Sequence, residues 1–299
     1  MANSKEIKRR IKSIQNTGKI TKAMELISTV KMKKSQDLAL EKKAYITGLL
    51  QVFSHLEETL EASVFFQNAP KAQKTLGVII VSNKGLCGGY NINVMKQVHA
   101  YMKENDEKID FITLGKRGAA FVSKTGNELI ADFSSDFGDQ IEANFTRSVS
   151  RLIQEKFASG AYGKVKIFYN HYVNTIKQIP LQRTFLPLQK TDIDDYFRQV
   201  LGEDFESQTQ KSHDFLIEPS VETLLQEVLP MLLDAMFHDM CLEAKASEHS
   251  ARMIAMKNAK ENAYKYASKL TLSYNKARQA GITTEVSEIV SGVESLKDV

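Results

Sequence analysis

The chain has no tryptophan and, in 299 residues, only five prolines and fifteen glycines. So few breakers favour long regular elements over loops. Its two cysteines, Cys87 and Cys241, are far apart in sequence. That excludes a disulfide framework and a cysteine-built zinc site, and it points to a reducing compartment. The histidines at 55, 99, 171, 213, 238 and 249 show neither H-x-H nor H-x-x-x-H spacing, so the pattern of a metal site is lacking. No run reaches the ~18 uncharged apolar residues of a spanning helix. Lys5, Lys8, Arg9 and Arg10 are not followed by the apolar core of a secretory signal. Glu57/Glu58 and Asp194/Asp195 are adjacent pairs, and adjacency sends such side chains to different faces. The sequence shows no acid–base pair and no active site.

What is present is long helical pattern at both ends. Residues 3 to about 58 read as one helix, with Asn3 as cap and Glu6 at the capping-box position. Ile7, Ile11 and Ile14, then Ile20, Met24, Ile27 and Val30, recur at spacings of mostly three and four. Gly18 lies inside this pattern, tolerated or serving close approach of another backbone. At 1.5 Å per residue the helix is ~80 Å long, more than the width of a compact domain of this size. From Ser220 a second pattern runs almost to the end, kinked or delayed at Pro230. It carries an alanine every fourth residue at Ala251, Ala255, Ala259, Ala263 and Ala267, which lets a second helix come near or merely reflects helix propensity.

Residues 75–190 read as an α/β layer with a partly parallel sheet. TLGVIIVS, KIDFITLG, NELIADF, KVKIFYNHYV and IPLQRTFLPL are the strands, and helical patterns cover Asn91–Glu104, Lys116–Lys124 and Gly138–Ala158. The fold expected is α/β: a long antiparallel coiled coil of the N- and C-terminal helices plus a Rossmann-like domain. Its boundaries are 1–60 for the first coil helix, 75–190 for the globular domain, 191–219 for a polar, acidic connector with some local helix and 220–299 for the last helix. The last helix is longer by about 20 residues, so its end protrudes as a single helix, a shaft on a globular foot.

The loop VSNKGLCGGYN, Val81 to Asn91, joins a strand to a helix as phosphate loops do. It lacks their chemistry: Lys84 precedes the glycines, and no Ser/Thr follows to hold magnesium. A tight turn explains the glycines, and Cys87 reads as a small apolar residue. Residues 1–43 hold twelve Lys/Arg against four Asp/Glu, which suits nucleic acid, an anionic surface, an acidic protein partner or simple solvation. The lysines are spread around the helix without interleaved aromatics, which argues against nucleic acid.

Three segments in register carry a family resemblance. IKRRIKSIQNTGKITKAMELISTVKMKKSQ resembles the N-terminal signature of the γ subunits of F-type ATP synthases. VSNKGLCGGYN resembles their central S-[DN]-[RK]-G-L-C-G-G-[FY]-N motif. EHSARMIAMKNAKENA with LTLSYNKARQAGITTEVSEIVSG is similar to their C-terminal signature. The resemblance spans the chain, while roughly 190–220 matches no motif. It implies a rotor without catalytic, cofactor-binding or metal residues and with no cofactor. Its partners are three α and three β subunits, the ε subunit and the c-subunit ring, and it couples proton-driven ring rotation to cycling of the β catalytic sites. It implies rotor–stator contacts at Lys84, Gly85 and Cys87 and at Arg278, Gln279 and Thr283. Ile11, Ile14, Met24, Ala255 and Ala259 are the expected packing residues of the coil, with Met24 near Arg278. Ile282 to Leu296 is the expected apolar tip. No chloroplast-type cysteine pair stands in this sequence. With the signature at the start of the chain, the expectation is a peripheral protein on the cytoplasmic face of a bacterial cell membrane, with no nucleic acid, no direct nucleotide binding and no membrane-spanning segment. The competing readings are a nucleotide-binding regulatory domain with coiled-coil arms, betrayed by tight ATP binding, and a basic nucleic-acid binder, betrayed by steeply salt-dependent DNA affinity.

Overall fold

The computed structural model describes residues 2–53, 60, 63–67, 74–105, 108–202, 205, 217–218 and 220–297, with side chains at all of these except 2–4, 39–40 and 294–297. The expected Asn3 cap and the Leu296 side chain therefore fall outside the described residues. So do His55, Glu57, Glu58, His213, Pro219 and most of residues 203–219. The chain divides into two units, one formed by residues 1–28 with 253–299 and the other by residues 29–252. Two long helices pass through both, α1 (Ala2–Glu41) and α7 (Val221–Lys297).

The larger unit is built on a five-stranded sheet. Its strands are β1 (Thr75–Ile80), β2 (Ile109–Leu114), β3 (Leu129–Asp132), β4 (Lys164–Tyr172) and β5 (Gln178–Leu186), in the order β3-β2-β1-β4-β5. The first four are parallel, and β5 is antiparallel to β4. Helices α3 (Tyr90–Glu104), α4 (Lys116–Val122) and α5 (Ala143–Ala158) connect the parallel strands. Alternation sends successive side chains of β1 to opposite faces. Ile79 packs with Val94, Val98, Phe111 and Phe168 under α3. Leu76, Val78 and Ile80 pack on the other face with Val149 and Ile153 of α5 and with Leu229, Leu232 and Leu233 of α7. A sheet covered on both faces needs apolar strands throughout, and β1 and β2 are buried at every position. Between β2 and α4 the chain turns at Gly115, where φ is +113° and a Cβ would lie 2.1 Å from the Val81 carbonyl oxygen. Only glycine fits there.

Three local expectations change. The first long helix does not run unbroken to 58. α1 ends at Glu41, Lys42 is a turn, and α2 covers Lys43–Phe53. Beyond Lys42 the pattern becomes apolar, and Ile46, Leu49, Leu50 and Phe53 join the core of the larger unit. The Lys42 ammonium fixes the turn by pairing with Asp239 at 2.5 Å. Second, α5 begins at Ala143 and not at Gly138, with the extended Glu142 (φ −83°, ψ 138°) at its N-cap position. Third, α7 does not start late at Pro230 but begins at Val221 and contains it. The lost hydrogen bond and ring clash cost roughly 3 kcal/mol. Burial of Leu229, Leu232 and Leu233 offsets that at roughly 1.5–3 kcal/mol each.

In the smaller unit α1 and α7 pair antiparallel. Gly18 lies against Ala263 and Tyr264, and Glu25 pairs with Lys260 at 2.6 Å. The expected stripe holds only at its start. Ile11, Ile14 and Met24 are half-buried, whereas Ile20 and Ile27 are exposed, as is Val30 just inside the larger unit. The buried positions after Ile14 are instead Gly18, Thr21 and Ser28. Small residues form this seam because they let the backbones approach. Ala255 and Ala259 are half-buried and Ala267 is buried. The register also separates Met24 from Arg278. Glu25 stands opposite Lys260, and 278 − 260 = 18 residues, or about 27 Å of helix.

Candidate functional site: the glycine loop on the charged turn of the last helix

After β1 the chain enters the loop of residues 82–89. Asn83 ties it down: its Nδ2 donates to the carbonyls of Ser134 (2.9 Å) and Phe137 (2.8 Å), and its Oδ1 accepts from the Lys116 amide (2.9 Å). Ser82 donates from Oγ to the Lys84 carbonyl (2.5 Å) and accepts from Asn91 Nδ2 (2.8 Å). Leu86 (φ +63°) and Gly88 (φ +58°) both adopt the left-handed region. For leucine this is a strained conformation. The two turns bracket Cys87 and point its thiol inward, where it is 2% exposed and accepts from Asn91 Nδ2 at 3.3 Å. Leu86 is thereby pushed out and is 63% exposed.

Beneath the loop lies a turn of α7 that is polar yet buried. Lys245, Glu248, His249 and Arg252 all have buried side chains. Glu248 accepts from Arg252 Nη2 at 2.7 Å and pairs with Lys245 at 3.2 Å. Burial alone would raise the Glu248 carboxyl, but the Lys245 and Arg252 charges outweigh it and hold it below the usual range. Lys245 also sits 3.9 Å from the centroid of the Phe137 ring. Arg252 reaches the loop itself, donating to the carbonyls of Gly85 (3.5 Å) and Lys84 (3.4 Å). On the same turn, Tyr90 donates from its hydroxyl to the Ala244 carbonyl at 2.9 Å.

His249 completes the cluster. Its Nδ1 faces Arg252 Nη1 at 3.4 Å, and its Nε2 has no hydrogen-bond partner, with Asp139 4.0 Å away. Burial is the main cause that pushes this imidazole down to about 4. Asp139 is held by Lys31 of α1 at 2.5 Å. Burial would raise the Asp139 carboxyl, and the hydrogen bond and charge of Lys31 bring it below its ordinary value.

The expected contact residues thus divide. Lys84, Gly85 and Cys87 share one loop, with Lys84 exposed, Gly85 half-buried and Cys87 facing inward. Arg278, Gln279 and Thr283 lie on α7 in the other unit, all exposed, and Thr283 donates from Oγ1 to the Gln279 carbonyl at 3.0 Å. Sequence reasoning missed Leu86 and the buried turn. The strain at Leu86 has no sequence signal beyond the nearby glycines at 85, 88 and 89. The charges at 245–252 resemble any solvated helix face until the packing around them is known.

The chain thus combines two long terminal helices, paired antiparallel in the smaller unit, with a five-stranded α/β sheet formed by the residues between them in sequence. The family model described as ATP synthase matches residues 3–296. The chain is 36% identical to the ATP synthase gamma chain of Akkermansia muciniphila, over 99% of this chain and 100% of that one. It is 33% identical to the gamma chain of Cytophaga hutchinsonii, with both chains covered in full. The chain belongs to the ATP synthase gamma-chain family. The fold is shared with a chain of the Euglena gracilis mitochondrial ATP synthase, at a TM-score of 0.67 and 18% identity over 99% of this chain and 95% of that one. It is shared also with a chain of the Tetrahymena thermophila central stalk and c-ring assembly, at 0.56 and 21% over 80% and 99%.

Proposed function

We propose that the chain is the central-stalk rotor of a proton-translocating F-type ATP synthase. It carries no catalytic, cofactor or metal site of its own and turns c-ring rotation into conformational cycling of the β sites. The observation that carries this reading is the match to bacterial gamma chains along the whole length. The partners are three α and three β subunits, the ε subunit and the c ring. Among the described residues no helix is long and apolar enough to cross a membrane, which suits peripheral attachment at the cytoplasmic face of the bacterial membrane. Lys84 and Leu86 are the loop atoms that meet β, while Gly85 and Cys87 shape the loop from within.

Paired crosslinks test the rotation. A Cβ placed at Gly18 lies 3.6 Å from Ala263 Cβ, inside the roughly 3.5–4.5 Å range of a disulfide. A Gly18→Cys/Ala263→Cys bridge joins parts of one rotor and leaves ATP turnover intact. Leu86→Cys joined to a cysteine on the facing surface of β stops turnover until a reductant is added. Full formation of that second disulfide with continued multi-turnover hydrolysis would end the rotor reading.

Arg278, Gln279 and Thr283 are proposed as a polar catch against β. One Arg–carboxylate contact contributes about 1.5–3 kcal/mol and must break on every turn. Arg278→Ala is expected to lower coupled synthesis several-fold with the chain still incorporated. Unchanged synthesis in that variant removes Arg278 from the mechanism.

A further inference from the structure

A large cleft of the α/β unit lies away from the glycine loop. It has a volume of about 650 Å³ and is walled by α1, the β4–β5 pair, α6 (Lys190–Leu201) and α7. That size falls in the roughly 300–1,000 Å³ range of small-molecule sites. Its apolar wall includes Met32, Val200, Met236 and Met240, with Tyr169 and Tyr172 alongside. Methionine and tyrosine together suit an adaptable apolar guest with a polar end.

The two carboxylates that α7 brings to the wall are each already engaged. Asp239 takes Lys42 on one oxygen and the Tyr196 hydroxyl on the other, each at 2.5 Å. Glu243 takes His171 Nδ1 at 2.8 Å and Gln199 Nε2 at 2.6 Å. At the rim, Lys33 and Asp37 balance in charge. Deeper along β5 stands Arg183. It lines the cleft, is half-buried as a residue, and its side chain makes no hydrogen bond or ion pair among the described residues. A solvent-reached guanidinium that no protein acceptor engages is a planar fork of donors free to take an anion.

We propose that this cleft binds an amphipathic carboxylate, its headgroup held by Arg183 and its apolar body laid against the methionines and tyrosines. A monoanion is favoured over a phosphate monoester because Asp239 and Glu243 already place two carboxylates in the wall, and a second negative charge on the guest meets them at close range. Bound there, the guest touches α1, α6, α7 and β5 together.

The test uses the full chain and a dansyl-labelled undecanoate kept below its micelle concentration. Fluorescence titration is expected to show saturable binding at one site per chain. Arg183→Gln is expected to weaken it roughly tenfold or more, and the corresponding alcohol is expected to bind unmodified protein just as poorly. Val200→Trp, which places an indole in the cleft, is expected to block the site. In that variant the indole is the chain's sole tryptophan, so its emission also reports folding. Arg151→Gln on α5, away from the cleft, keeps full affinity. Absent or non-saturable binding, equal affinity in Arg183→Gln with an unchanged circular dichroism melt, or equal affinity for dodecyl phosphate overturns the proposal.

Discussion

At the scale of single residues, the buried turn of α7 holds the strongest chemistry. Removing charges from water is costly, and Lys245, Glu248 and Arg252 stay buried because each has a partner. His249 and His238 are different. Burial pushes them down to about 4 and about 3 respectively, and His238 is also bound through Nδ1 to the Thr146 hydroxyl at 2.6 Å. Both are neutral in the fold. Below the ordinary histidine pKa of 6.5 the unfolded chain takes up protons that the folded chain refuses, so stability is full above that pH and falls as pH drops toward 4. The loss at pH 5 is roughly 2 kcal/mol for each histidine. His171 runs the other way. Its hydrogen bond to Glu243 raises its pKa, so its contribution is present below 6.5 and lost as pH rises through the folded value. His249→Gln is therefore expected to flatten the acid limb of the melting temperature between pH 6.5 and 4. A limb as steep as that of the unmodified chain would mean that His249 is not a source of it.

At the scale of elements, the coil seam is decided by size more than by hydrophobicity. Gly18 packs at ordinary van der Waals distance from Ala263 and Tyr264: a Cβ there is 3.5 Å from the Tyr264 ring and 3.6 Å from the Ala263 methyl. A methyl group just fits, and anything larger must push the helices apart. Gly18→Ala is expected to stabilise the chain by up to about 1 kcal/mol through helix propensity. Gly18→Leu is expected to destabilise it by about 1–3 kcal/mol through overpacking. Thermal melts of the pair decide the matter, and equal destabilisation by both would place the constraint in the backbone. The seam leaves Ile20, Leu26 and Ile27 of α1 exposed at 53–61%. The period of the apolar residues was legible in the sequence. Which of two possible stripes turned inward was not, because a glycine, a threonine and a serine carry no hydrophobic signal.

At the scale of the whole molecule, the end of α7 continues without a covering helix among the described residues. Ile282, Val286, Ile289, Val290 and Val293 are 51–67% exposed there. An apolar stripe of that length is stable in water only when something covers it. On the rotor reading it is a bearing inside the α/β ring. Removing a few residues at a time is then expected to weaken assembly of the complex before it halts rotation. Abolished turnover in fully assembled complexes lacking only the last few residues would refute the bearing role.

The sequence by itself determined the kind of molecule: two long helices, an α/β layer between them, five strands in their places and a turn where a phosphate loop lacks its chemistry. These are readable because periodicity, glycine placement and motif spacing are local properties of the chain. The family signatures were legible for the same reason. The tertiary structure decided what depends on neighbours distant in sequence. It turned Cys87 inward and Leu86 outward, placed Met24 opposite the level of Lys260 and not of Arg278, and buried Lys245, Glu248 and Arg252 against a loop more than 150 residues earlier. A charged residue has the same local signature on a solvated face and in a paired, buried cluster. Only the packing around it says which one it is, because burial and partners are properties of the fold and not of the residue.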